Sequence, residues 1–367
     1  MMQFESEAAR LESFGRSIDA IRKDVEARVG AADLARVRWL RRLSRGLEIA
    51  GRGAIHFSFE PIGFGAGVVM LWLHKQLEAT EIGHTALHGA YDRFGRDTGF
   101  HSASFGWRVP IDEASWRHGH NVRHHGNTNV AGKDPDVHFG PIRLTEHTPW
   151  NPFHRFQVPF ALLVLFPTFT FMMNLHFTGV NDAWANNGRG GMDFLEDRSL
   201  RSRLHAHGRA LRKYVPYYAY EYGLFPALAG PFWWKVLLGN WLAETMRDVY
   251  SAATIFCGHV GPDTAAYPEG DKAASRGAWY ARQVEATNDF EVGPTLSVLC
   301  GGLDRQIEHH LFPKLAPERL REIAPAVRRA CEEHGVAYRT DTWPATLKKA
   351  FAHLRTLSLR EAMVEMA

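Results

Sequence analysis

The chain has 367 residues, 43 of them Lys or Arg and 40 Asp or Glu, for a net charge of +3. That length holds one large domain or two ordinary ones, and the near-balanced charge singles out no polyanion, so no nucleic-acid role is expected. Three isolated cysteines, Cys257, Cys300 and Cys331, fit a reducing compartment and argue against a disulfide scaffold or a zinc ribbon.

Residues 1–45 read as one or two amphipathic cytosolic helices. Glu5, Glu7, Arg10 and Glu12 interrupt any apolar run of the kind a signal peptide needs. Arg36, Arg38, Arg41, Arg42 and Arg45 then form a basic run, read as the cytoplasmic flank of a membrane segment. That segment, 53–77, is mostly apolar but holds Glu60 and Pro61 at its middle. It is either one span or a tight hairpin of two short helices.

The helix then runs into His84-Thr-Ala-Leu-His88. Residues four apart share a helix face, so both imidazoles project the same way. Residues 94–152 are polar and loop-rich and carry His118-Gly-His120-Asn-Val-Arg-His124-His125. His120 and His124 share a face, while His125 diverges and reaches a second side of the site. Asp134 and Asp136 follow in a turn-rich stretch. They serve either the turn or the outer shell of a metal, where a carboxylate fixes the tautomer of a ligating imidazole.

Residues 158–178 are apolar and broken by Pro167. Residues 180–216 read as a polar, basic loop. Two further apolar helices are expected at 217–234 and 235–260, with Arg247 facing the protein interior or a polar cavity. His259 lies directly after them and is favoured as a further ligand. The third cluster is Gln306-Ile-Glu-His309-His310, followed by an amphipathic helix from Pro317. Gln306 sits three residues before His309, suited to a neutral oxygen ligand or a partner of bound water. Seven histidines in three clusters exceed one tetrahedral zinc site and suggest a two-metal centre. For the clusters to meet on one side of a membrane, 158–178 must dip in and return or lie in the interface.

These three boxes, in this order and separated by membrane segments, resemble the membrane-bound fatty acid desaturases. Glu81-Ile-Gly-His84, Phe256-Cys-Gly-His259 and Gln306-Ile-Glu-His309-His310-Leu-Phe-Pro313 look like bacterial acyl-CoA or acyl-lipid desaturases in particular. Animal stearoyl-CoA enzymes differ, with His where Gln306 stands and one more residue between the first two histidines.

The resemblance implies an all-α membrane protein with about four membrane helices, one segment re-entrant or interfacial, and a helical cytosolic cap. It implies a membrane domain over 46–345 and a helical tail over 346–367. It further implies two non-haem iron ions held by His84, His88, His120, His124, His125, His259, His309 and His310. Gln306, Asp134, Asp136, His118 and Glu308 are outer-shell or weak-ligand candidates, and His118 has no family counterpart. Dioxygen is the implied co-substrate and a fatty acyl-CoA or membrane lipid the substrate. The expected location is a bacterial inner membrane, with the site facing the cytoplasm.

An oxidant strong enough for a methylene C–H bond comes from a cofactor, since no side chain supplies one. The chain has no haem-binding segment, dinucleotide glycine fingerprint or iron–sulfur cysteine set. An external ferredoxin or flavin reductase is therefore expected as donor, docking at the basic stretch 198–213 or the Arg-rich N-terminus. A hydroxylase or a terminal-alkene-forming decarboxylase on the same boxes is the alternative chemistry. A metal transporter would place its ligands within the spans. A zinc protease would need Glu after His84, where Thr85 stands.

Overall fold

The computed structural model describes residues 6–138, 142–184, 194–195 and 197–359. They are mostly helical. The fold is carried by α1 (Glu7–Arg28), α2 (Ala31–Phe57), α3 (Pro61–Leu77), α4 (Pro152–Phe177), α5 (Leu200–Tyr218), α6 (Trp233–His259), α7 (Arg276–Glu285), α8 (Gln306–Leu311), α9 (Pro317–His334) and α10 (Trp343–Ser358). A short parallel pair, β1 (Asp289–Glu291) and β2 (Thr340–Thr342), ties the third histidine box to the C-terminal helix.

Residues 53–77 form a hairpin. Glu60 ends the ambiguity: its carboxylate accepts from Ile62 N at 2.7 Å and Gly63 N at 2.5 Å, and Pro61 opens α3. This acid-proline pair is a helix start, so the charge needs no place inside a span. Two glycines let α2 and α3 touch backbone to backbone. A Cβ on Gly51 would lie 2.9 Å from Gly67 O, and one on Gly67 would lie 2.8 Å from Ile55 N.

The second hairpin begins earlier than its apolar run suggests. Residues 200–216, read as a loop, are helical, and α5 continues through a π-helical turn, Ala219–Leu224, to Leu228. Ala206, Ala210 and Tyr214, four apart, form its buried stripe. The arginines between them hide that periodicity in the sequence. The tips of both hairpins meet at the end away from the histidines, where Lys235 Nζ donates to His56 O at 2.9 Å and Ser58 O at 2.8 Å.

Arg247 is fully buried, as expected, and pairs with Glu244 at 2.8 Å and Asp248 at 2.9 Å. The network extends through Lys75, 2.9 Å from Glu244 and 3.1 Å from Glu221, to Arg52, 2.8 Å from Glu221.

Among the described residues one helix, α4, is long and apolar enough to cross a membrane by length and composition. Its contacts place it differently. Near its start, Gln157 Nε2 donates to Leu354 O in α10; near its end, His176 lies 3.6 Å from Asp136. Its middle packs on the last turns of α6 through Phe166, Phe169, Ala252 and Phe256. Both ends therefore stay on the histidine side, and the bend at Pro167 is a single tight turn, Phe166–Thr168. The helix lies beneath the histidines, with both of its ends on their side.

The rest forms a cap. Phe14, Ile18 and Val25 of α1 are buried with Val284 of α7 and Leu320 and Val327 of α9. Expected boundaries at 45/46 and 345/346 fall inside α2 and α10. Large side chains remain exposed along the hairpins and α4, among them Ile49 at 74%, Phe57 at 81%, Ile62 at 84% and Leu163 at 77%. Large apolar side chains exposed in this number suggest an apolar neighbour.

Candidate metal centre

The first box sits on a π-helical turn. α3 runs unbroken into Glu78–His84, where the widened turn frees carbonyls. Trp107 supplies the missing donor: its indole Nε1 lies 3.0 Å from Glu78 O and 3.2 Å from Ala79 O. Gly83 makes room for that ring, since a Cβ there would lie 2.0 Å from Trp107 Nε1. His84 and His88 then bring their Nε2 atoms to 3.2 Å.

The second box has the same construction. Asp112 caps Glu113–Trp116 by accepting from Ser115 N at 2.9 Å, and the helix widens into a π turn over Arg117–His124. The wider turn brings residues five apart together, and His120 and His125 meet Nε2 to Nε2 at 3.3 Å. α-Helical spacing pairs His120 with His124; the structure adds the His120–His125 contact.

The third box is set against the first. Gly301 and Gly302 adopt φ of +66° and +81°, and a Cβ on Gly301 would lie 2.6 Å from Thr80 C. This left-handed pair lets α8 start directly on the first box. His259 closes α6, with Nε2 3.3 Å from His310 Nε2 and 2.6 Å from Gln306 Nε2.

All eight predicted histidines converge, seven of them into two clusters. Ligand atoms of His84, His88, His120 and His309 lie within 4.8 Å of one another, as do those of His124, His259 and His310. His125 lies between, its ring 4.8 Å from His88 and 4.2 Å from His310.

Burial, reinforced by neighbouring imidazoles, holds His84, His88, His125, His259, His309 and His310 well below the ordinary imidazole value. The rings are neutral, the state a metal requires. Nε2 of His124 and Nε2 of His309 are buried without a hydrogen-bond partner, and three pairs of Nε2 atoms face each other at 3.2–3.3 Å. Cations among these lone pairs would satisfy them, so the donor set fits two metal ions.

The acidic residues divide. Asp134, fully buried, lies 3.0 and 2.9 Å from His124 Nδ1 through its two oxygens. It also accepts from Asn129 N at 2.8 Å and Asp136 N at 2.9 Å, so it shapes the turn and orients the imidazole at once. Burial opposes protonation of His124, but Asp134 and Asp136 raise it to about 9. Asp136 lies 3.5 Å from His120 Nδ1. Glu308 turns away from the histidines, to Tyr338 Oη at 3.1 Å, and burial beside Asp289 pushes its carboxyl well above the ordinary value. His118 is exposed and belongs to neither cluster.

Three supporting residues carry no readable signal in the sequence. Thr128 Oγ1 and Gln283 Oε1 lie 3.0 and 3.1 Å from His310 Nδ1. Gln283 comes from α7, where it reads as an ordinary helix position. His176, a lone histidine in an apolar helix, backs Asp136.

A cavity of about 380 Å³ opens against the histidines. His84, His120, His124, His259 and Gln306 line it on one side, and Trp107, Ile111, Trp116, Phe169 and Phe177 are among its apolar walls. Phe100 is core, and Trp233 and Trp234 are about half exposed near the hairpin tip.

Asp134→Asn keeps the shape and removes the charge. Loss of an outer-shell carboxylate of this kind costs roughly 10–100-fold in metal affinity. A competition titration with a chelator should show that loss; unchanged retention would mean Asp134 serves only the turn.

The model of the fatty acid desaturase family matches residues 61–342. An NADPH-dependent stearoyl-CoA 9-desaturase of Mycobacterium tuberculosis is 32% identical over 356 residues, covering 96% of this chain and 81% of the relative. An acyl-lipid (8-3)-desaturase of Physcomitrium patens is 29% identical, over 77% of this chain and 59% of the relative. An sn-1 linoleoyl-lipid 6-desaturase of Synechocystis is 25% identical, over 80% of each chain. With its histidines clustered against an apolar cavity, the chain belongs to the fatty acid desaturase family, oxidoreductases that act on fatty acyl chains.

Proposed function

We propose that this protein is a membrane desaturase that introduces a cis double bond into a fatty acyl chain at a histidine-held diiron centre. The carrying observation is the placement of two histidine clusters along one wall of an apolar cavity. His84, His88, His120 and His309 would hold one iron; His124, His259 and His310 would hold the other, with His125 between them. Two irons held there would supply, through dioxygen, the oxidising power that side chains lack. The balance is R–CH2–CH2–R′ + O2 + 2 H+ + 2 e− → R–CH=CH–R′ + 2 H2O.

The protein's own contribution is position and exclusion of water. The apolar walls seat the acyl chain, and its carbon–carbon bond is held against the side formed by His124 and His259. Asp134 fixes the tautomer of His124 so that Nε2 faces inward. Gln306 holds an amide beside His259, and its Oε1 is buried without a partner, suited to a bound water or a metal.

The two hairpins, α2–α3 and α5–α6, form the membrane stem in this reading. The exposed apolar side chains support it, and the basic run at the cap end of α2 supports a site facing the cytoplasmic side of a bacterial inner membrane. Arg36 of that run pairs with Glu81 at 3.3 Å and Glu318 at 3.2 Å.

Expression in a host without the activity, followed by mass spectrometry of total fatty acids, tests the reaction class. A product lighter by two hydrogens, with the double bond at one position, is expected. Gain of oxygen or loss of carbon dioxide would replace this reading with a hydroxylase or a decarboxylase.

A further inference from the structure

A second, polar depression of about 360 Å³ opens on the cap surface behind the metal centre. Its floor includes Thr128 and Gln283, both buried, and these are the side chains that hold His310. Thr128 Oγ1 is also 2.9 Å from Gln283 Oε1, so the two side chains and the imidazole form one hydrogen-bonded cluster. A single layer of side chains therefore separates the depression from His310.

The depression and the apolar cavity reach the histidines from different sides. The cavity is lined by His84, His120, His124 and His259 but not by His310, whereas the depression reaches the centre through His310. An acyl chain in the cavity leaves the depression free.

Its rim is cationic. Arg282 is paired with Asp271 at 2.8 Å and Arg276 with Asp19 at 2.6 Å. Lys133 and Lys272 line the same rim and have no acidic partner among the described residues. Trp279 adds an aromatic wall, half-buried. The stretch 198–213 is less suited to a soluble partner. Leu200, Leu204, Leu211 and Val215 are exposed along α5, Lys213 is paired with Glu113, and Arg209 donates to Thr178 O.

We propose that this depression is the docking site of the electron-donating protein, one with an acidic face, and that electrons enter the metal centre at His310. The inference rests on the desaturase reading, whose reaction consumes two electrons that this chain has no group to carry. Uncompensated lysines at a docking rim speed encounter with an acidic carrier and set its register.

The test uses the full-length protein in proteoliposomes with stearoyl-CoA, an acidic plant-type [2Fe–2S] ferredoxin and its NADPH-dependent reductase. Lys133→Glu/Lys272→Glu places like charges at the interface, and its apparent KM for ferredoxin should rise by about tenfold or more. KM for stearoyl-CoA and the alkene yield of a dithionite-reduced single turnover should not change. Three results would overturn the proposal: an unchanged KM for ferredoxin, no ferredoxin-supported turnover in the unsubstituted protein, or a rise confined to stearoyl-CoA. The last would make the depression a nucleotide site. If the dithionite-reduced, unsubstituted protein forms no alkene, the desaturase reading itself fails, and this proposal with it.

Discussion

His309→Ala is expected to abolish turnover and to strip one iron from the centre while the protein still inserts and folds. His309 meets the first box directly, its ring centroid 4.9 Å from His84 and 4.7 Å from His88. Its buried, unpartnered Nε2 is the atom offered to the metal. Loss of a ligand should exceed the roughly 10–100-fold penalty of losing an outer partner. His124→Ala should do the same at the other cluster. Elemental analysis of the purified variants, with product assay beside it, checks both. Full iron content or retained activity in either would remove that histidine from the centre.

Arg247→Ala is expected to destabilise the stem rather than the site. Arg247 is the largest fully buried side chain, and its guanidinium bonds Glu244, Asp248 and the Thr170 hydroxyl, all at 2.8–2.9 Å. Removing one partner of a buried ion pair costs about 3–5 kcal/mol, and here the Asp248 carboxylate would be left buried without its counter-charge. For a chain of this size that corresponds to a Tm lower by roughly 4–7 °C. Arg247→Met combined with Asp248→Asn and Glu244→Gln removes the stranded charges and should recover much of the loss. Thermal unfolding in detergent, followed by Trp fluorescence, measures both. A single variant that melts with the parent would show that the buried pair contributes nothing net.

The eight histidines were legible because four-residue spacing is a helical signature and because imidazoles are uncommon in such density. The hidden interior of Arg247 was legible for a similar reason: a lone charge in an apolar helix has to be paired. The π-helical turns at Glu78–His84 and Arg117–His124 were not legible. They depend on a donor from elsewhere, as when Trp107 satisfies the carbonyls of Glu78 and Ala79 from about thirty residues away. α5 was hidden because its buried stripe is made of small residues, Ala206 and Ala210, among arginines that dominate any average of hydropathy. The partners of His310 were hidden because Gln283 is distant in sequence and reaches the site only through the packing of α7 on α8. Asp134 was read with both of its roles open, and the structure assigns it both contacts.

The most direct test of the central claim is to locate the metals. Anomalous scattering at the iron edge, on crystals of protein purified with its metal, should show two peaks. One should lie among His84, His88, His120 and His309, the other among His124, His259 and His310. A single peak at full occupancy, or two peaks outside these imidazoles, would contradict the account.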